Sequence, residues 1–333
     1  MLSSQPWAVV NLSQVQWGVL ITCVLFVFFS QILTPKTRKW LLLPAVLMFA
    51  NIGVFTAHSA NDWQVYVMDV GQGLAVVVQK NNHTLLYDTG ASYPSGFSMA
   101  ESVLLPYFQQ QGIKGLDWLI VSHDDNDHAG GYTQLNQQLS IKNIMTNDVS
   151  IKATHPCLTG HKLYWQQLTI EVLSPNQRKG DDNDDSCVVK IFDQHHSLLL
   201  TGDISKKIEK KLVNRNKLAS DLEGPSQLNA DILIAPHHGS KTSSSTEFVK
   251  AVAPKYVVFS SGYLNQWSMP SSTVVERYRR LNIHTLNTAD SGMITFRINH
   301  SRIEVRRYRF DDWPYWFAIS VLITWLALKL KLK

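Results

Sequence analysis

Apolar positions in the chain fall into two kinds of run: long uncharged blocks near the ends and short β-branched segments in the middle. Residues 17–33 (WGVLITCVLFVFFSQIL) and 40–57 (WLLLPAVLMFANIGVFTA) carry no charge. Each approaches the roughly 20 residues that cross a bilayer core. A third block, 313–329, begins in a Trp-Pro-Tyr-Trp cluster and is followed by a Lys-rich tail. One such block alone could be a buried core helix; three with basic flanks read as membrane spans. The expected organisation is an N-terminal membrane segment 1–58 with two transmembrane helices, a domain at 60–310, and a C-terminal transmembrane helix at 313–329. Lys36, Arg38 and Lys39 lie in the short loop between the first two blocks, and Lys329, Lys331 and Lys333 close the third. The positive-inside rule puts both basic clusters in the cytoplasm and the intervening domain outside, in the periplasm beyond a bacterial inner membrane. The extreme N-terminus has neither the positive charge nor the small-residue site of a cleaved signal peptide.

Between the blocks, the pattern predicts an α/β domain. Strands are expected at 63–70, 74–79, 83–88, 117–122, 141–146, 168–173, 187–192, 197–201, 231–235, 255–260, 283–287, 292–298 and 302–308. Helices are expected at 98–111, 204–217 and near 271–281. The order suggests two β-rich halves covered by helices, with no short repeat or low-complexity tract.

Composition changes this picture little. A net charge of +5 invites a nucleic-acid reading, but without the six terminal basic residues the chain holds 25 basic against 26 acidic residues. Global charge is therefore no evidence for DNA binding. The segment 204–217 puts Ile204, Ile208 and Leu212 on one side and Lys206, Lys207, Lys210 and Lys211 mostly on the other. That is an ordinary solvated face or a strip for a nucleic-acid backbone, and the acidic run 181–185 would oppose the second use. Cys157 and Cys187 are the only cysteines between the membrane blocks and show no metal-ligand spacing. Outside the cytoplasm they would form a disulfide; two buried free thiols are the alternative.

Candidate chemistry gathers where strands end. His123, Asp125, Asp127 and His128 follow the strand 117–122, Asp203 follows 197–201, and His237 and His238 follow 231–235. Side chains at i, i+2 and i+4 of a loop leaving a strand can converge, and imidazole with carboxylate suits zinc or a harder transition ion. Gly130 and Gly131 let a helix start close to these groups. Asp69 and Asp88 end strands beside glycines, where they support ligands or turns, with metal binding as the alternative.

The strings MDVGQG (68–73), LLYDTG (85–90), VSHDDNDHAGG (121–131), LLLTGD (198–203) and APHHGSKTSSS (235–245) resemble the metallo-β-lactamase superfamily. More narrowly they resemble the corresponding domain of ComEC-type DNA-internalisation proteins of competence systems. The resemblance implies an αββα sandwich flanked here by transmembrane helices, with two divalent metal ions at its edge. It also implies hydrolysis of a phosphodiester or another ester.

On this reading His123 and Asp125 hold one metal, Asp127, His128 and His237 the other, and Asp203 bridges them, with Asp127 and Asp203 central to catalysis. His237 is preferred to His238 because it is nearer the strand end. Ser240 and Lys241 could contact phosphate, although a solvated role is the ordinary one for an exposed lysine. Asp125 stands where the superfamily usually has a second His, Ser186 stands near the place of its middle His, and Leu74 replaces a frequent Asp. The oxygen-rich site shifts preference from Zn2+ toward Mn2+. The expected function is a periplasm-facing, metal-dependent nuclease on DNA taken up in transformation, working beside a polytopic channel region. The alternative is a catalytically degenerate DNA-guiding or scaffold module. Relatives with a channel are longer, so the chain is expected to be a fragment or one part of a split system.

Overall fold

A computed structural model describes residues 62–180, 183–221 and 227–312. The expected spans at 17–33, 40–57 and 313–329 lie outside the described residues. Among the described residues, no helix is long and apolar enough to cross a membrane.

Two sheets carry the fold. The first begins with three antiparallel strands, β1 (Trp63–Val67), β2 (Val76–Lys80) and β3 (His83–Tyr87). A π-helical turn, Ala100–Leu104, then runs into α1 (Leu105–Gln110), where the sequence predicts one helix over 98–111. β4 (Gly115–Val121) follows parallel to β3; then come α2 (Asn126–Ala129), α3 (Tyr132–Gln138), β5 (Ser140–Thr146) and β6 (His155–Pro156).

The second sheet opens with β7 (Lys162–Trp165), β8 (Leu168–Ser174), β9 (Val188–Phe192) and β10 (Ser197–Leu200), all antiparallel neighbours. From β10 onward it becomes a parallel α/β array. α4 (Lys206–Asp221) leads to β11 (Ile232–Ile234), α5 (Thr246–Val252) to β12 (Tyr256–Phe259), and α6 (Ser272–Arg280) to β13 (His284–Asn287). The chain then returns to the first sheet as β14 (Ile294–Ile298) beside β1, with β15 (Ile303–Arg307) at its edge. The sheet orders are β15-β14-β1-β2-β3-β4-β5-β6 and β13-β12-β11-β10-β9-β8-β7.

Alternation explains which faces meet. In β1, Trp63, Val65 and Val67 are fully buried while Gln64 and Tyr66 are not. One apolar core joins Val65, Val78, Leu85 and Ile120 of the first sheet to Ile170, Ile191, Leu200 and Ile234 of the second. A second core lies between the other face of the second sheet and its helices, joining Leu199, Leu233 and Val257 to Ile208, Leu212, Phe248, Val274 and Tyr278. Ile208 and Leu212 of α4 enter this core, and Lys210 and Lys211 stay exposed.

Two links tie the layers together at one end. Cys157, after β6, is disulfide-bonded to Cys187, before β9, with Cα atoms 5.8 Å apart. The Tyr87 hydroxyl donates to the Cys187 carbonyl at 2.8 Å.

Candidate metal centre

The parallel strands of both sheets point their carboxyl ends toward one edge, where α/β folds characteristically place ligands. Asp88 follows β3, the segment His123–His128 follows β4, Asp203 follows β10, and His238 follows β11. Several glycines permit the close approach. A Cβ on Gly73 would sit 2.5 Å from the Asp127 carbonyl, which accepts a hydrogen bond from Leu74 N–H at 3.1 Å. Gly130 and Gly131 separate α2 from α3, and a Cβ there would meet backbone oxygens at 2.3 Å and 2.5 Å.

The centre brings together His123, Asp127, His128, Asp203 and His238. His123, His128 and Asp203 offer ligand atoms within 4.8 Å of one another, and so do Asp127, His128 and His238. His128 Nε2 lies 3.1 Å from Asp203 Oδ1 and 3.2 Å from His238 Nε2. His238 Nε2 lies 3.3 Å from Asp127 Oδ2 and 3.6 Å from Asp203 Oδ2.

Each of the three imidazoles is anchored through its other nitrogen. His128 Nδ1 meets Asp88 Oδ2 at 2.8 Å, His238 Nδ1 meets the Ser260 carbonyl at 2.8 Å, and His123 Nδ1 meets Ser122 Oγ at 2.9 Å. Asp88 is fully buried and also accepts from Ser122 N–H at 2.7 Å and Ser122 Oγ at 2.8 Å. Ser186 Oγ accepts from Asp203 N–H at 3.1 Å and lies 3.4 Å from His123 Nδ1.

This donor set fits a divalent cation. His123 Nε2 is buried and makes no hydrogen bond, although Asp125 Oδ2 lies 3.3 Å away. The paired Nε2 atoms of His128 and His238 face each other beside carboxylates, with each ring fixed from behind, which is how metal-binding histidines are usually held. The electrostatics agree. Burial alone would raise the pKa of Asp203, but His128 and His238 hold it well below the usual carboxylate range. Burial likewise opposes ionisation of Asp127, and the hydrogen bond from His238 and the nearby imidazoles overcome it, bringing its pKa to about 2. Burial presses His128 and His238 toward neutrality, but Asp203 and Asp88 together outweigh it at His128, Asp203 and Asp127 together outweigh it at His238, and both are raised.

The remaining predicted residues take other places. His237 Nε2 is 3.7 Å from Asp203 Oδ2 and its side chain is a quarter exposed, so His238 occupies the deeper position. Both histidines have left-handed backbones, with φ of 49° and 53°, which turn the second one inward. Asp125 is at the rim with its side chain 45% exposed. Asp69 pairs with Arg309 at 2.9 Å. Ser240 Oγ meets Thr242 Oγ1 at 3.0 Å, and Lys241 is exposed. Leu74 is buried in the intersheet core. Ser122 and Ser260 were not anticipated; a single hydroxyl carries no periodic signal.

The centre opens into a cleft of about 370 Å3, whose lining includes Asp127, Asp203, His237, His238, Tyr93 and Trp267. Asp184 of the acidic run is held at the start of α4. Asp184 bridges to Lys207 at 2.8 Å and accepts from Ser205 Oγ at 2.6 Å.

Residues 68–150 match the metallo-beta-lactamase superfamily. The chain is 39% identical over 282 residues to Recombination protein 2 of Haemophilus influenzae, covering 82% of this chain and 33% of that protein. It is 31% identical to YcaI of Escherichia coli, covering 85% and 37%, and 33% identical to Competence protein ComA of Neisseria gonorrhoeae, covering 84% and 38%. The chain spans about a third of the length of these relatives. With a mixed α/β fold of metallo-β-lactamase type and a His/Asp cluster at its sheet edge, the chain is similar to competence proteins over most of its own length, and its residues 68–150 match the metallo-beta-lactamase superfamily.

Proposed function

We propose that the chain is a metal-dependent phosphodiesterase acting on DNA during uptake, anchored in the inner membrane with residues 60–310 facing the periplasm. The observation that carries this reading is the cluster of His123, Asp127, His128, Asp203 and His238, buried on one side and open to a cleft on the other. The competence relatives supply the DNA context.

Two divalent ions would be held by His123, Asp127, His128, Asp203 and His238, with the single free nitrogen of His128 serving one of them and His237 and Asp125 at the rim. Such ions supply Lewis-acid polarisation of phosphoryl oxygen and activation of water. Asp203 lies beside both His128 and His238, where it would serve as a ligand. Asp88, Ser122 and Ser260 orient the imidazoles, and His237, a quarter exposed beside Asp203, is placed to hold or pass a proton at the leaving oxygen. Three imidazoles with two carboxylates suit a divalent transition ion such as Mn2+ or Zn2+.

The test is cleavage of DNA by the purified chain loaded with Mn2+ or Zn2+, with and without chelator. Activity lost on chelation supports the reading, as does an Asp203→Ala variant that loses turnover more than DNA binding. Metal-loaded chain that binds DNA and leaves it intact refutes it in favour of a guiding module.

A further inference from the structure

The cleft in front of the metal centre has aromatic walls. Tyr93 and Trp267, 42% and 55% exposed, line it together with Asp127, Asp203 and His238. Single exposed aromatics are commonplace on protein surfaces. Here two of them share one cleft with the metal centre, and each stands on a loop built to hold it.

The Tyr93 loop closes through a bridge between Ser92 and Ser98, with Tyr93 N–H donating to the Phe97 carbonyl at 2.8 Å. The Tyr93 and Phe97 rings lie 5.7 Å apart. Asn126, next to Asp127, ties this loop to the centre: its Nδ2 donates to the Ser92 carbonyl at 2.9 Å and its Oδ1 accepts from Ser92 Oγ at 3.1 Å. The Trp267 loop is fixed by Asn265, which donates to the carbonyls of Gly262 at 2.9 Å and Met269 at 2.6 Å and accepts from Met269 N–H at 2.9 Å. Gln72 reaches this loop from the other side, accepting from Gly262 N–H at 3.3 Å. Tyr263 and Leu264 on the same loop are 71% and 85% exposed.

The lining of this cleft contains three aspartates and no Lys or Arg. Phosphate capture by Lys or Arg is therefore unavailable at the mouth, and beyond the metal centre itself the flat apolar rings are the source of affinity that the lining offers. Base stacking on aromatic rings is the sequence-tolerant way to hold an unpaired strand. A duplex keeps its bases stacked on one another and offers the rings nothing. We infer that Tyr93 and Trp267 are stacking platforms for unpaired bases on either side of the scissile phosphate, so that the centre selects single-stranded over double-stranded nucleic acid. This rests on the phosphodiesterase reading above and adds its substrate form.

The experiment measures affinity of the full chain for a phosphorothioate single strand, the matching duplex and an abasic strand of equal length, alongside metal content and cleavage. Trp267→Ala and Tyr93→Ala should each weaken single-strand binding by roughly 5- to 150-fold, with duplex affinity and metal content unchanged. Trp267→Phe should keep most of the affinity, and wild type should bind the abasic strand as poorly as the alanine variants bind the normal one. Equal affinity for strand and duplex, with both alanine variants neutral and DNA still cleaved, overturns the stacking role and leaves the phosphodiesterase reading standing. A Trp267→Ala defect confined to binding of lipid vesicles also overturns it, by assigning the loop to a membrane surface. Failure of metal-loaded wild type to bind or cleave any DNA removes both.

Discussion

Replacing Asp88 by Asn tests the imidazole–carboxylate logic of the centre with one atom changed. Asp88 is fully buried and accepts three hydrogen bonds, from Ser122 N–H, Ser122 Oγ and His128 Nδ1. With a carboxylate behind it, metal-bound His128 would carry its proton on Nδ1 and leave the Nε2 lone pair, beside Asp203 and His238, for the ion. An amide can keep the Ser122 N–H bond through its oxygen, but its NH2 then opposes Nδ1–H. The ring resolves the conflict by moving its proton to Nε2, where the metal lone pair belongs. Loss of such an outer partner costs on the order of 10–100-fold in metal affinity, or about 1.4–2.7 kcal/mol. The metal-free fold should lose roughly 2 kcal/mol for one charge-assisted bond. Competition titration against a metallochromic chelator gives the first quantity, and thermal unfolding in chelator gives the second. Nitrogen NMR of the histidine ring reports the tautomer directly. An Asp88→Asn chain that is folded, keeps Nδ1–H on His128 and binds metal as wild type would refute the reasoning.

Three further outcomes are expected. Replacing Cys157 and Cys187 by Ser opens a crosslink across 30 positions, and should cost about 3–4 kcal/mol in denaturant unfolding; an unchanged midpoint, or no effect of reductant on wild type, counts against the layer-tying role. Burial raises the pKa of Glu209, whose carboxylate accepts the Ser244 and Ser245 N–H groups before α5. The stability it contributes is present below its unfolded pKa of about 4.3 and is lost as pH rises through the folded value, so Glu209→Gln should gain on wild type across that window, and parallel pH profiles would exclude this. Asp117 has the opposite sign: burial is outweighed by hydrogen bonds from Lys142, Trp165 and His83, and its pKa is lowered. Its contribution is present above about pH 4 and lost as pH falls through the folded value, so Asp117→Asn should destabilise by roughly 1–2 kcal/mol at neutral pH and progressively less in acid.

Strands were legible because burial on one or both faces writes a regular apolar pattern. β1 alternates along WQVYV, and β11 is the uninterrupted ILI of a strand covered on both sides. Elements set by their surroundings were not legible. α2 and α5 span four and seven residues, too short for a period of 3.6 to register. β6 and β7, two and four residues long, end the two sheets, and both are too short for an alternation to register. At the site, the strand-end rule found His123, Asp127, His128 and Asp203, since each follows an apolar run. It could not order His237 and His238, because two consecutive left-handed residues decide which ring turns inward. Tyr93 and Trp267 stand on loops whose shape comes from Asn126, Asn265 and Gln72, and no local pattern announces that.

The arrangement makes metal binding and sheet packing parts of one problem. His123, His128 and Asp127 come from the first sheet, and Asp203 and His238 from the second. Ser122, which orients Asp88 and His123, gives its carbonyl to Cys187 N–H at 2.8 Å, and the Cys187 carbonyl takes the Tyr87 hydroxyl. The disulfide at Cys187 therefore lies one residue from Ser186 and one hydrogen bond from the support of the centre. A cation bound by donors from both sheets stabilises the folded state by mass action, and it does so through the layer contact that the disulfide also holds. Oxidation and metal loading act on the same junction, so a chain reduced at Cys157 and Cys187 should bind its metal less tightly than the oxidised one, with all ligands intact.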